Sequence, residues 1–342
     1  MSDVNWHCIE NLLTLMIEYK ATELMLVTGQ TPRFRINGEF QSLSQPELPF
    51  EKSGGSMGEL PSAMLADYMD DKHRQCFYYT NKVNFILKKH KLSDSGYDRF
   101  IVSGLIQQYG GSFIITYIPD DTQYQLAYKK FEETLPIKQI SSYISGLVIF
   151  TGSLLNKVEK SQLLSSVIDY RNRHYQHHIL IIEDQIIKIH QNKKSLIQQV
   201  EVLNKSSCRP SCDADNEIFA KIDAIAPDML VIDSIDSLTP SSLKKILMLS
   251  GSGCLVISTM STTSLVNSLY RIEYFFTKNE RAYIRSILAK NLRHIISMEV
   301  SETQSHGKQY KWEVMNNNDE AFRLIKKGNY DSILIENKVH SM

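Results

Sequence analysis

The chain has 342 residues, of which 42% are hydrophobic and 22% charged, and its 38 basic and 38 acidic residues cancel to a formal net charge of zero. That length suits two ordinary domains, each with its own core, and the charge balance excludes a protein held to nucleic acid or anionic lipid by a global field. Five cysteines, odd in number and scattered, exclude a disulfide scaffold and fit a reduced compartment.

The first stretch, MSDVNWHCIENLLTLMIEYK, lacks a basic segment followed by an uninterrupted apolar core, and no stretch approaches the roughly 18 apolar residues of a membrane span. A cytoplasmic protein is expected. Ile9, Leu12, Leu13, Met16 and Ile17 recur at helical spacing and predict an amphipathic helix of about three turns. ELMLVTG and RFRING read as short strands, and the Pro-, Gly- and Ser-dense segment Pro46 to Pro61 as a surface loop. RFIVSGLIQQYGGSFIITYIP gives two β-rich runs around Gly110-Gly111, a hairpin signal. Residues 1–120 therefore read as a small α+β domain with an antiparallel sheet, and the polar residues 121–135 as a linker.

From there the texture changes. GLVIF, HHILII, DMLVIDS and GCLVIS are apolar without alternation, as strands buried on both faces are, and helical segments separate them. Residues 136–342 are thus expected to form an α/β domain with a mainly parallel sheet. An amphipathic helix is expected to follow the strand at Gly146. In RAYIRSILAKNLRHIIS near the end, Ile284, Ile287, Leu288, Ile295 and Ile296 predict one face of another, its basic residues forming the solvated side rather than a nucleic-acid surface. Cys208 and Cys212 are the only close pair of cysteines. With no further N or S ligands nearby they read as a loop, and no metal site is assigned.

Several blocks together carry a resemblance. LLTLMIEYKATELMLVTGQTPRFRINGEFQSL, YDRFIVSGLIQQYGGS, GLVIFTG with KSQLLSSVIDYRN, HHILIIEDQIIKIHQNKKSLIQQVEV, APDMLVIDS, GCLVISTMSTTSLVNSLYRI, LAKNLRHIIS and DEAFRLIKKGNYDSI follow one another in a familiar order. In that order the chain resembles the PilT-type twitching-motility ATPases, the retraction motors of type IV pili within the secretion ATPase superfamily. The resemblance covers nearly the whole chain. It implies a PAS-like N-terminal domain, a RecA-like P-loop NTPase domain, and a hexameric ring binding ATP and Mg2+. It further implies as partners the same chain or a PilT-type paralogue, and the pilus platform protein of the inner membrane, at whose base a cytoplasmic ring is peripherally placed.

The site positions diverge from that family. A phosphate loop GxxxxGK[ST] needs glycines so that its backbone N–H groups can approach the phosphates, a lysine for their charge, and a hydroxyl for magnesium. Read without gaps from Gly152, those positions become Lys157, Val158 and Glu159. Aligned on the following helix, Lys160 and Ser161 fall on the Lys-Ser pair and Asp169, Tyr170 and Asn172 also match, but the loop is then two residues longer and has no internal glycine. The family's activating glutamate is replaced by Ser234, with Asp233 beside it, and its next residues by Ile235, Asp236 and Ser237. Its two site histidines become Cys254 and Ser261. Glu183 and Asp184 match an acidic pair, expected to be buried. Of the arginines that the family presents across subunits, only Arg99 persists, Tyr109, Thr116 and Ile101 occupying the other positions.

The resemblance thus marks Glu183, Asp233 and Arg99 as catalytic candidates and Gly152, Lys160, Ser161 and Asp184 as nucleotide-binding candidates. Two readings stay open. One is a pilus ring protein, weak or inactive as an ATPase, that serves as a structural or regulatory partner. The other is a working retraction ATPase with a remodelled loop. A decayed gene product is a third possibility.

Overall fold

The computed structural model describes residues 8–42, 60–90, 97–108, 110–118, 121–153, 157–201, 214–303, 307–333 and 336–341. The described residues up to Ile118 form one compact unit and those from Asp121 onward a second.

In the first unit, helix α1 (Ile9–Glu18) buries Ile9, Leu12, Leu13 and Met16, one stripe of the predicted period. Strands β1 (Glu23–Val27), β2 (Arg33–Ile36) and β3 (Glu39–Gln41) precede helices α2 (Leu60–Ala66) and α3 (Asp71–Thr80). Strands β4 (Lys82–His90), β5 (Tyr97–Gln107) and β6 (Gly110–Ile118) complete an antiparallel sheet of order β3-β2-β1-β6-β5-β4. Its inner face buries Leu24, Leu26, Phe34, Phe85, Phe100 and Phe113 against α1 residues. The predicted hairpin is present, but Gln107 pairs with Gly110, so the two glycines open β6 rather than form the turn. Of the expected loop Pro46 to Pro61, residues 46–59 lie outside the described residues, and Leu60 and Pro61 belong to α2.

The second unit begins with helices α4 (Asp121–Thr134) and α5 (Ile137–Ser142). The span expected as a linker is therefore largely helical. Its polar residues hide a helical period, for Tyr124, Tyr128, Phe131 and Leu135 are all buried. Then come β7 (Gly146–Gly152), α6 (Lys157–His174), β8 (His178–Glu183), β9 (Leu196–Glu201), α7 (Ala214–Ile225) and β10 (Met229–Ile232). Next are α8 (Pro240–Leu249), β11 (Leu255–Met260), α9 (Leu265–Tyr274), α10 (Lys278–Asn291), β12 (Leu292–Thr303), β13 (Gly307–Asn316), α11 (Asp319–Lys327) and β14 (Glu336–Ser341).

The sheet order is β14-β13-β12-β7-β11-β10-β8-β9, parallel from β12 to β9 and antiparallel at β13 and β14. Helices α4, α5 and α6 cover one face, while α7 to α11 cover the other. Strands β7, β10 and β11 are buried along their whole length, which explains their apolar runs without alternation. From β7 the chain passes over β11 and β10 to reach β8, whereas after β11 it returns past β7 to β12. Adjacent strands whose connections leave in opposite directions open a crevice at their C-terminal ends, the usual ligand position in such sheets.

Two expectations fail here. The long helix through Ile296 stops at Asn291, and Ile295 and Ile296 lie in β12, one packed on each face of the sheet. The β-branched pair suits a strand held between β7 and β13, and tertiary pairing overrides the helical spacing. Helix α6 is likewise not amphipathic, because Ser161 to Asp169 are all buried between the sheet and helices α4 and α5. Arg171 fastens it, donating from Nη1 to the carbonyls of Ser141 at 2.8 Å and Tyr143 at 2.9 Å.

Candidate functional site

At the crevice floor the ends of β7 and β11 are laced by hydroxyls. Thr151 Oγ1 lies 2.7 Å from the Thr262 carbonyl, which accepts its proton, and receives the Thr262 N–H at 3.3 Å. Thr262 Oγ1 is hydrogen-bonded both to Thr151 Oγ1 and to Ser268 Oγ at the start of α9. Gly152 pairs with Met298 of β12, and a Cβ there would stand 2.7 Å from the Met298 carbonyl oxygen. Strand packing alone thus demands glycine at this position.

The middle of the connection, Leu154, Leu155 and Asn156, lies outside the described residues. Helix α6 then places Glu159 in its first turn, followed by Lys160 and Ser161. These three side chains are only 9%, 6% and 7% exposed. The Lys160 ammonium donates to Ser261 Oγ at 3.1 Å, bridging from α6 to the end of β11.

Ser261 is itself clamped. Its N–H donates to Asp236 Oδ2 at 2.6 Å, and its carbonyl accepts from Arg271 Nη1 at 3.2 Å. Arg271 Nε and Asp236 Oδ1 form an ion pair at 2.8 Å. Asp236 sits in the 3-10 turn Ile235–Ser237 after β10, and Arg271 in the last turn of α9. Just before that turn, Asp233 and Ser234 lie beyond the end of β10. Asp233 still extends the ladder through its backbone, its N–H reaching the Ile182 carbonyl at 3.0 Å and its own carbonyl accepting from Thr259 Oγ1.

Glu183 ends β8 and Asp184 follows it. Both are half-buried, not buried as expected, because the strand has run past the helical layers. Glu183 Oε2 accepts from Gln199 Nε2 at 3.1 Å. That same amide also donates to the Lys188 carbonyl at 2.8 Å and accepts the His190 N–H at 2.8 Å. In the sheet order β8 stands three strands from β7, which at about 4.8 Å per strand puts the Glu183 backbone roughly 14 Å from that strand.

The segment from Asp184 to Ser195 is pinned from α6. Asn172 Nδ2 donates to the Gln191 carbonyl at 2.8 Å, and its Oδ1 accepts from the N–H groups of Lys193 at 3.0 Å and Ser195 at 3.3 Å. Buried Asp169 pairs with Lys193 Nζ and Arg173 Nε, both at 2.7 Å, and Arg173 continues to Glu132 on α4. The α6 residues that matched the family pattern thus hold a loop. Arg99 lies on β5 of the first unit, paired in register with Lys88 and Ile118. Among the described residues no group of three or more His, Cys, Asp or Glu is arranged to hold a metal, and Cys208 and Cys212 lie outside them.

The structure therefore brings Gly152, Lys160 and Ser161 together at the β7–α6 junction and sets Glu183 and Asp184 apart at the end of β8. Sequence reasoning missed the Asp236–Arg271 clamp and Gln199. The signal available was a carboxylate gained at Asp236 in the same chain that has Ser261 where the family has histidine.

No family model matches the chain. It is 26% identical over 319 residues to the type IV pilus retractation ATPase PilT of Pseudomonas aeruginosa, covering 93% of this chain and 85% of that protein. To the type IV pilus ATPase PilU of the same organism it is 27% identical over 322 residues, 93% of this chain and 77% of that one. Over nearly its whole length the chain is similar to the PilT/PilU-type secretion ATPases. A solved structure of the pilus retraction motor PilT with bound ADP shares the family's fold with it, at a TM-score of 0.69 and 22% identity over 95% of this chain and 87% of that one. Among the described residues no helix is long and apolar enough to cross a membrane.

Proposed function

We propose that this chain is a ring-forming protein of the type IV pilus apparatus whose nucleotide site is degenerate. It is weak or inactive as an ATPase and acts as a structural or regulatory partner in a ring with itself or a PilT-type paralogue, at the inner-membrane platform. The first unit serves as the PAS-like domain of that assembly and the second as its RecA-like domain.

The observation that carries this reading is Glu159. The first turn of α6 offers N–H groups and the positive end of the helix dipole, which favour an anion. In a phosphate site the ligand supplies that anion; here Glu159 puts a buried carboxylate of the protein itself into the same turn. Two further facts agree. The single glycine of the junction is required by Met298, and beyond β10 a Ser234 hydroxyl, a poor base near neutral pH, stands at the activating position. The residues present thus do not fit a polyphosphate with magnesium as the family template holds one, and no hydrolytic step is derived from them.

One observation favours the other reading. Lys160 reaches the crevice between β7 and β11, and Ser161 follows it. A working ATPase would use both, with Glu183 and Asp233. Steady-state phosphate release by the wild type, Lys160→Ala and Glu183→Gln separates the two. We expect background rates from all three proteins, and turnover abolished by both substitutions would establish the ATPase reading instead.

A further inference from the structure

The clamp around Ser261 has the make-up of an oxyanion site. A guanidinium from Arg271 and the backbone N–H of Ser261 converge on one carboxylate, at 2.8 Å and 2.6 Å. The Ser261 hydroxyl, one side chain away, receives the Lys160 ammonium at 3.1 Å. Two cationic groups and a backbone donor gathered at the end of a parallel strand, beside the crevice, match what binds phosphate oxygens. The carboxylate on which Arg271 and the Ser261 N–H close is part of the chain, and Lys160 is linked to it through Ser261. It comes from the tight turn Ile235–Ser237, and its side chain is 13% exposed.

We propose that Asp236 is the tethered occupant of an oxyanion site built by Arg271, Ser261 N–H and Lys160, and that it excludes phosphate-bearing ligands from the crevice by filling their place. The inference rests on the reading of the crevice as a degenerate polyphosphate site and adds the residue that keeps it closed. The ligand class it excludes is an oligophosphate or a nucleotide's phosphate tail. Removing the carboxylate leaves Arg271 and the Ser261 N–H without their anion, and an external one replaces it.

Isothermal titration of the full chain with inorganic tripolyphosphate tests this. Asp236→Ala is expected to bind at least about tenfold more tightly than the wild type, one charge-assisted contact regained. Adding Arg271→Gln to that variant is expected to remove the gain. A merely structural role for the pair predicts the opposite, since each loss would then weaken any binding along with the fold. Should Asp236→Ala not fold by circular dichroism and thermal melting, Asp236→Ser removes the carboxylate while leaving a shorter polar side chain in the turn. A folded variant that binds no better than the wild type, or a gain that survives Arg271→Gln, overturns the proposal. ATP turnover by the wild type would instead defeat the degenerate-site reading, and tripolyphosphate affinity is measured independently of it.

Discussion

Single residues at this site do work that their family positions would not announce. Gly152 stands at the first glycine of a phosphate loop, yet the Met298 carbonyl forbids a side chain there. Gly152→Ala should therefore lower stability by about 1–3 kcal/mol through overpacking, read as a fall in the denaturant midpoint; an unchanged midpoint would mean the strands can part. Glu159→Gln should strengthen ATP binding about fivefold, since a charge at a helix N-terminus is worth roughly 1 kcal/mol; weaker binding by fluorescence titration would show that the carboxylate assists the ligand. His294 titrates for a separate reason. Burial holds its pKa below the ordinary value of about 6.5, with the Tyr143 hydroxyl 2.8 Å from Nε2. The unfolded chain takes up a proton below about pH 6.5 that the folded chain resists, so stability is complete above that pH and declines as pH falls toward the lowered value. Melting temperatures between pH 7.5 and 5.5 should drop more steeply for the wild type than for His294→Gln. Equal slopes would contradict this.

At the scale of elements, helix α6 is the organiser. It is covered on both sides, Arg171 ties it to α5, and Asp169 with Asn172 fixes the loop after β8. Asn172→Ala removes the partners of one carbonyl and two N–H groups, and should cost about 2 kcal/mol. Hydrogen exchange should rise at residues 191–195 ahead of the rest of the second unit; uniform exchange would argue against a pinned loop. The strands were legible because four apolar runs without alternation have few other homes than a parallel sheet. The helix α4 was not, because Tyr124, Tyr128 and Phe131 sit among Asp, Gln and Lys that read as a solvated linker. Ile295 and Ile296 misled in the other direction. They continue the period of α10, and only their pairing with β7 and β13 makes them strand. Lys160 and Glu183 were legible as candidates from their match to a motif. Asp236, Arg271 and Gln199 were not, because their roles exist only through partners distant in sequence.

For the whole molecule, similarity to PilT and PilU runs over 93% of the chain, so the features that build the family's architecture have been kept together. Several positions that differ from the family pattern, Glu159, Ser234, Asp236 and Ser261, follow the C-terminal ends of β7, β10 and β11. On the proposed function, the carboxylates of Glu159 and Asp236 stand in for the anions that a nucleotide would bring. The central claim is that such a site does not hydrolyse ATP. The most direct measurement is a single-turnover reaction, with the full chain in excess over labelled ATP and Mg2+, which reports hydrolysis even when product release is slow. No labelled phosphate above the protein-free control is expected. Stoichiometric conversion of the label, lost in Lys160→Ala, would contradict it.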